Sequence, residues 1–89
     1  MLELDLDSRA QRFIDKLPPK HARQITDRLL ALLKNPYPQD SKRVKQSIYS
    51  RVDSGEYRIA YKVIGNRIYV PLIGKRNDDE VYRRLRRLQ

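Results

Sequence analysis

Arg76 and Tyr82 flank the chain's most informative corner. An apolar run, Ile68–Ile73, stops at Gly74, and Lys75 and Arg76 follow at once. Asn77 and Glu80 then stand three apart, the spacing of a capping box that opens a helix. Asp78 and Asp79 would fill its first turn, where the helix dipole favours acids. Tyr82 lies about one and a half turns on. A guanidinium and a phenol held at such a corner could grip a phosphate.

The other residues able to do chemistry are cations. Lys45, Arg51, Arg58, Lys62, Lys75 and Arg76 have Tyr49 and Tyr82 near them in the pattern. Such a set could stabilise a phosphorane-like transition state without a metal or a histidine. RNA carries its own nucleophile, the 2′-OH, so a metal-free cationic site suits RNA better than DNA. The same residues would equally serve a surface that only binds RNA. His21 is the sole histidine and falls on a different element, where it reads as a surface residue. No P-loop, nucleophile elbow or metal-ligand cluster is present, so neither a metal nor a cofactor is expected.

The composition narrows the class of partner. The 89 residues form one domain, 1–89. With 20 Lys and Arg against 11 Asp and Glu, the net charge is +9. Residues 1–45 carry +4 and residues 46–89 carry +5, so no basic tail explains the excess. A spread of this kind points to a polyanionic partner: nucleic acid, a membrane surface or an acidic protein, the first and last favoured. The absence of cysteine excludes disulfides and zinc–thiolate sites. No apolar run approaches a membrane span or a signal segment, so no membrane partner is expected and the chain reads as cytoplasmic.

The periodicity places these residues on elements. Leu2, Leu4 and Leu6 alternate with acids as in a half-buried strand. Asp7 or Ser8 can cap a helix whose stripe is Ala10, Phe13, Ile14 and Leu17. Pro18-Pro19 ends it, and Pro19 suits the start of a second helix reaching Lys34. Residues 39–47 read as a loop or an irregular approach to the sheet. Three strands follow, near 48–53, 56–64 and 67–73, joined by turns at Ser54-Gly55 and Gly65-Asn66. A last helix runs from about Asp78 to Leu88 and buries Val81, Leu85 and Leu88. The fold class is α+β: an N-terminal strand, an antiparallel helix hairpin on a small antiparallel sheet of about four strands, and a short C-terminal helix.

The second turn sets a register. Pairing Ile64 with Arg67 brings Val63, Tyr61 and Ile59 against Ile68, Val70 and Leu72, an apolar face for the helices. Arg58, Ala60 and Lys62 then oppose Ile73, Pro71 and Tyr69 on a basic face turned the other way. Pro71 lacks a ladder donor, so it marks either an open edge or a bulge that would shift this pairing.

Two motifs together carry a family resemblance. Gly55-Glu56-Tyr57-Arg58-Ile59-Ala60-Tyr61 and Ile73-Gly74-Lys75-Arg76-Asn77-Asp78-Asp79-Glu80-Val81-Tyr82 resemble the RelE family, within the RelE/ParE superfamily of type II toxin–antitoxin systems. The resemblance spans nearly the whole chain, and its second motif leans toward RelE rather than ParE. It implies a RelE-like toxin that inhibits translation. The activity implied is that of a ribosome-dependent, metal-independent endoribonuclease, an mRNA interferase. Such an enzyme cleaves A-site mRNA by 2′-OH attack and leaves a cyclic phosphate and a 5′-hydroxyl. Arg58, Arg76 and Tyr82 would be catalytic, and Lys45, Arg51, Lys62 and Lys75 would contact RNA. The partners implied are mRNA, ribosomal RNA and an acidic, RelB-like antitoxin. The alternative is a ParE-like inhibitor of DNA gyrase that acts by binding.

The chain departs from the family in one strand. RelE proteins often place two alternating lysines soon after a tyrosine there, whereas this chain reads Tyr49-Ser50-Arg51-Val52-Asp53. Arg51 could stand in for one cation, but a guanidinium holds its proton too firmly to be a good general base. The proton acceptor is unassigned at this point, with Lys45 a distant candidate.

Overall fold

The alternation of leucines and acids at the N-terminus does form a strand, β1 (Glu3–Leu6). In the computed structural model, which describes residues 1–77 and 79–88, β1 runs parallel to a later strand, β5 (Arg67–Lys75). Helix α1 (Ser8–Asp15) starts at Asp7, whose side chain accepts the Arg9 N–H at 2.9 Å. Helix α2 (Pro19–Lys34) has Pro19 at its first position, where a missing N–H costs nothing. The rest of the sheet is β2 (Lys42–Arg43), β3 (Ser50–Ser54) and β4 (Tyr57–Ile64). The strand order is β1-β5-β4-β3-β2. Helix α3 (Glu80–Leu88) ends the described chain.

The α+β class and element order match expectation, with differences in the sheet. It has five strands rather than about four, because Lys42 and Arg43 pair with Arg51 and Ser50 inside the segment read as a loop. It is mixed rather than antiparallel, because β1 reaches its place beside β5 without a hairpin. The first turn is Gly55-Glu56, one residue later than Ser54-Gly55, with Gly55 at φ +58°.

Pro71 proves to be the site of a bulge. Val63 pairs with Ile68 and Lys62 with Tyr69 as expected, but Ala60 pairs with Leu72 and Arg58 with Gly74. Val70 and Pro71 together oppose Tyr61, which spares the proline a ladder position it cannot fill. The extra residue exchanges the faces of Leu72 and Ile73. Ile73 joins the core under the helix hairpin, with Ile25, Leu29, Ile59, Tyr61 and Ile68. Leu72 joins a second core on the other face, with Val44, Tyr49, Ala60, Val81 and Leu85.

That second core corrects the expectation of an open basic face. α3 lies across it, burying Val81 and Leu85 and half-burying Leu88. The helix begins at Glu80, so the Asn77–Glu80 capping box is not formed. Glu80 instead binds Arg83 and Arg84 at 2.8 and 2.7 Å, and Asn77 lies in the turn before the helix. The first-turn role assigned to Asp78 lies outside the described residues.

Candidate active site

The bulge decides where α3 can sit. By putting Gly74 opposite Arg58 it leaves the α3 face without a side chain at that point. A Cβ on Gly74 would stand 2.7 Å from Val81 Cγ2, so only glycine admits the helix this closely. Tyr82, the next residue, is thereby brought over Arg58. Arg58 Nη1 donates to the Tyr82 hydroxyl at 2.7 Å, and its guanidinium carbon is 5.3 Å from the ring centroid.

Asp53 completes the group. It is paired with Arg58 across the β3–β4 hairpin. Arg58 Nε donates to Asp53 Oδ1 at 2.9 Å and Nη2 to Oδ2 at 3.4 Å. Arg76 approaches the same carboxylate, Nη1 to Oδ2, at 4.0 Å. Its backbone N–H donates to Glu56 O at 3.0 Å, which ties the turn after β5 to the β3–β4 turn. The side chain of Arg58 is 15% exposed and that of Arg76 is 55% exposed. One guanidinium is therefore built into the wall, and the other is exposed at its edge.

The electrostatics follow from this pairing. The hydrogen bonds to Asp53 raise the Arg58 pKa above its ordinary value, aided by the nearby Asp53, Tyr82 and Asp79, so Arg58 stays charged. It can bind and stabilise an anion but cannot exchange a proton. A guanidinium forked onto a carboxylate has the geometry by which it would grip two phosphate oxygens. Asp53 thus occupies the seat a phosphate would take.

The structure brings together all three residues expected to be catalytic, Arg58, Arg76 and Tyr82. The expected RNA contacts divide. Lys45 and Arg51 line a pocket on the far side of Tyr82, together with Arg43, Val44, Ser47, Leu85 and Arg86. Lys62 is on the Arg58 face, but four residues along the strand, about 13 Å away. Its ammonium lies between the rings of Tyr49 and Tyr69, at 5.3 and 5.7 Å. Lys75 is paired with Tyr57, whose ring packs in the helix-hairpin core, and lines a separate cleft with Phe13 and Arg84. Neither Lys62 nor Lys75 joins the cluster. His21 is also elsewhere, its Nδ1 hydrogen-bonded to the Tyr57 hydroxyl at 2.8 Å. Among the described residues no group of His, Cys, Asp and Glu could hold a metal. No helix among them is long and apolar enough to cross a membrane.

Asp53 is the residue that sequence reasoning missed. With the turn at Ser54-Gly55 it would not oppose Arg58; with the turn at Gly55-Glu56 it does. The glycine that takes positive φ was the available signal.

Solved structures resemble this fold in three dimensions. A mutant of the E. coli toxin RelE in the free state superposes with a TM-score of 0.82 at 25% identity, covering 98% of this chain and 96% of that one. The isolated E. coli RelE toxin gives 0.75 at 26% identity over the whole of both chains. The chain is RelE-like. A chain from the intact E. coli RelBE toxin–antitoxin complex gives 0.75 at 24% identity, covering 88% of this chain and all of that one. No family model matches the sequence, and no curated protein matches it. The RelE likeness therefore rests on the fold.

Proposed function

We propose that this chain is the toxin of a type II toxin–antitoxin system and cleaves mRNA on the ribosome, inhibiting translation. The observation that carries the reading is the convergence of Arg58 and Arg76 on the Asp53 carboxylate, with the Tyr82 hydroxyl bonded to Arg58. Phosphate from RNA displaces Asp53 from the fork of Arg58, and Arg76 closes from the exposed side. Charge that develops on the phosphate during 2′-OH attack meets the guanidinium of Arg58, already in place, and that of Arg76 once it has closed. The displaced Asp53 carboxylate remains beside the reacting group and accepts the 2′-OH proton. The 2′-oxygen bonds to phosphorus, the bond to the 5′-oxygen breaks, and that oxygen leaves with a proton from water. The products are a 2′,3′-cyclic phosphate and a 5′-hydroxyl. Tyr82 orients Arg58 through its hydroxyl and offers its ring to a base. No step requires a metal.

The solved relatives include RelE–RelB complexes from E. coli and Pyrococcus horikoshii. By that likeness the chain has its own antitoxin partner, an acidic protein that offsets part of the +9 charge and so keeps RNA away. Ribosomal RNA is the second polyanion the basic surface would meet.

Primer extension on ribosome-bound mRNA tests the reading. Wild type should give A-site cuts on programmed ribosomes, none on free mRNA, and Arg76→Ala should give few or none. Intact mRNA with gyrase-dependent DNA breaks would instead favour the ParE-like activity. Equal cutting by Arg76→Ala would remove Arg76 from the mechanism.

A further inference from the structure

The helix hairpin and the Arg76 turn are joined through one side-chain hydrogen bond. His21, in the first turn of α2, is half-buried, and its Nδ1 lies 2.8 Å from the Tyr57 hydroxyl. The two rings meet edge to face at 5.5 Å, and Phe13 of α1 meets Tyr57 in the same manner at 5.8 Å. Tyr57 opens β4 and is 4% exposed. Two routes lead from it to Arg76. It pairs across the sheet with Lys75, the residue before Arg76. It also follows Glu56, whose carbonyl accepts the Arg76 N–H at 3.0 Å. Gly55 of the same turn lies against α2, since a Cβ there would stand 3.4 Å from Gln24 Oε1. Among the described residues, His21–Tyr57 is the only hydrogen bond between α2 and the β3–β4 hairpin.

The direction of that bond depends on one proton. Burial, first, and then the nearby Glu56 carboxylate raise the Tyr57 pKa, so the hydroxyl keeps its proton. Its one hydrogen-bond partner among the described residues is Nδ1. The hydroxyl therefore donates to Nδ1, and the neutral ring carries its own proton on Nε2. A charged ring has N–H on both nitrogens. Nδ1 then donates to the phenol oxygen, and the phenol proton turns to the Glu56 carboxylate beside it. Histidine is the side chain that ordinarily changes charge between pH ~5 and 8, and His21 is the only one in the chain.

The charged groups that face the pair are Glu56 of the turn and Lys75 of β5. Glu56 favours the charged ring and Lys75 opposes it. α1 presents the Phe13 ring, and the α2 residues one turn on, Gln24 and Ile25, carry no charge.

We propose that His21 is a positioning residue for Arg76. Gaining a proton reverses its hydrogen bond to Tyr57, draws the Glu56 carboxylate onto the Tyr57 hydroxyl and shifts the turn whose carbonyl holds the Arg76 N–H. The consequence for cleavage rests on the RNA-cleaving reading, in which Arg76 closes on the phosphate. The link itself is a property of the fold.

NMR of the ¹⁵N-labelled chain from about pH 5 to 8, with no RNA present, tests the link. The Glu56 and Arg76 amides should shift with the same midpoint as the His21 ring nitrogens, and Nδ1 should read as the unprotonated nitrogen above that midpoint. In Tyr57→Phe, which keeps the buried ring, His21 should still titrate while the Arg76 amide no longer follows. His21→Asn, which leaves a neutral acceptor, should remove the step and carries the comparison if Tyr57→Phe fails to fold. An Arg76 amide that stays still in the wild type, or follows pH equally in a folded variant, would overturn the proposal. On programmed ribosomes, the cutting rate of the wild type should change through the same midpoint, and His21→Asn should lose that change. Cutting with one pH profile for both proteins would also overturn it. A coupled Arg76 amide in a protein that cuts no mRNA would leave the link standing and remove the proposed function.

Discussion

Arg58 makes three directed contacts that no other cation of the same charge can reproduce: two to Asp53 and one to Tyr82. Lysine carries one ammonium and cannot span both partners. Arg58→Lys should therefore fall by ~10²–10³ in single-turnover cleavage on programmed ribosomes, close to the loss from Arg58→Ala. Asp53 separates two roles. If it is the proton acceptor, Asp53→Asn lowers the cleavage rate by ~10²–10⁴ while ribosome binding stays intact. An unchanged or faster rate would make Asp53 only a lock on Arg58. The corner residues Arg76 and Tyr82 were legible in the sequence because chemistry and turn signals coincide there. Asp53 was not, because a one-residue difference in turn position changes every partner across a hairpin.

The β4–β5 hairpin and α3 act as one positioning device. Pro71 forces the bulge, the bulge places Gly74 on the α3 face, and Gly74 lets Val81 approach. Gly74→Ala must push a stiff, buried Val81 aside, at a cost of ~1–3 kcal/mol. Its thermal midpoint should fall, and amide exchange in α3 should rise more than in α2. The proline itself warned of a break in the ladder; the choice between an edge and a bulge needed the neighbouring strand β1, which makes β5 interior. The capping-box spacing at Asn77 and Glu80 misled because the helix starts only at Glu80, with Asn77 in the turn before it. At the start of α1, Asp7 accepts from the Arg9 side chain and backbone and from the Tyr69 hydroxyl. The Arg9 hydrogen bonds, first of all, hold its carboxyl well below the ordinary range. A depressed folded pKa gives stability that is fully present above the unfolded value of ~3.9 and is lost as pH falls toward the folded one. Melting from pH 5 downward should therefore lower the wild-type midpoint more steeply than that of Asp7→Asn.

At the scale of the molecule, the +9 charge and the cations lining the pocket at Tyr82 should make RNA association salt-dependent. The logarithm of the binding constant should fall linearly with that of salt, and Arg51→Ala should lower the slope by ~0.7 if it meets one phosphate. A slope unchanged by Arg51→Ala would place Arg51 outside the RNA path. The charge, the helix hairpin and the three long strands could be read from periodicity. The second core could not, because its members Val44, Tyr49, Ala60 and Leu72 come from separate segments without a shared period. Whether the Arg58 seat serves RNA cleavage by the substrate's own 2′-OH can be measured directly. Purified protein is mixed with ribosomes programmed with mRNA carrying either ribose or 2′-deoxyribose 5′ to the cleaved bond, and the fragments are weighed by mass spectrometry. The mechanism predicts cyclic phosphate and 5′-hydroxyl ends from the ribose message and no cut at that bond in the deoxy one. Cleavage of the deoxy bond, or an intact ribose message, would contradict it.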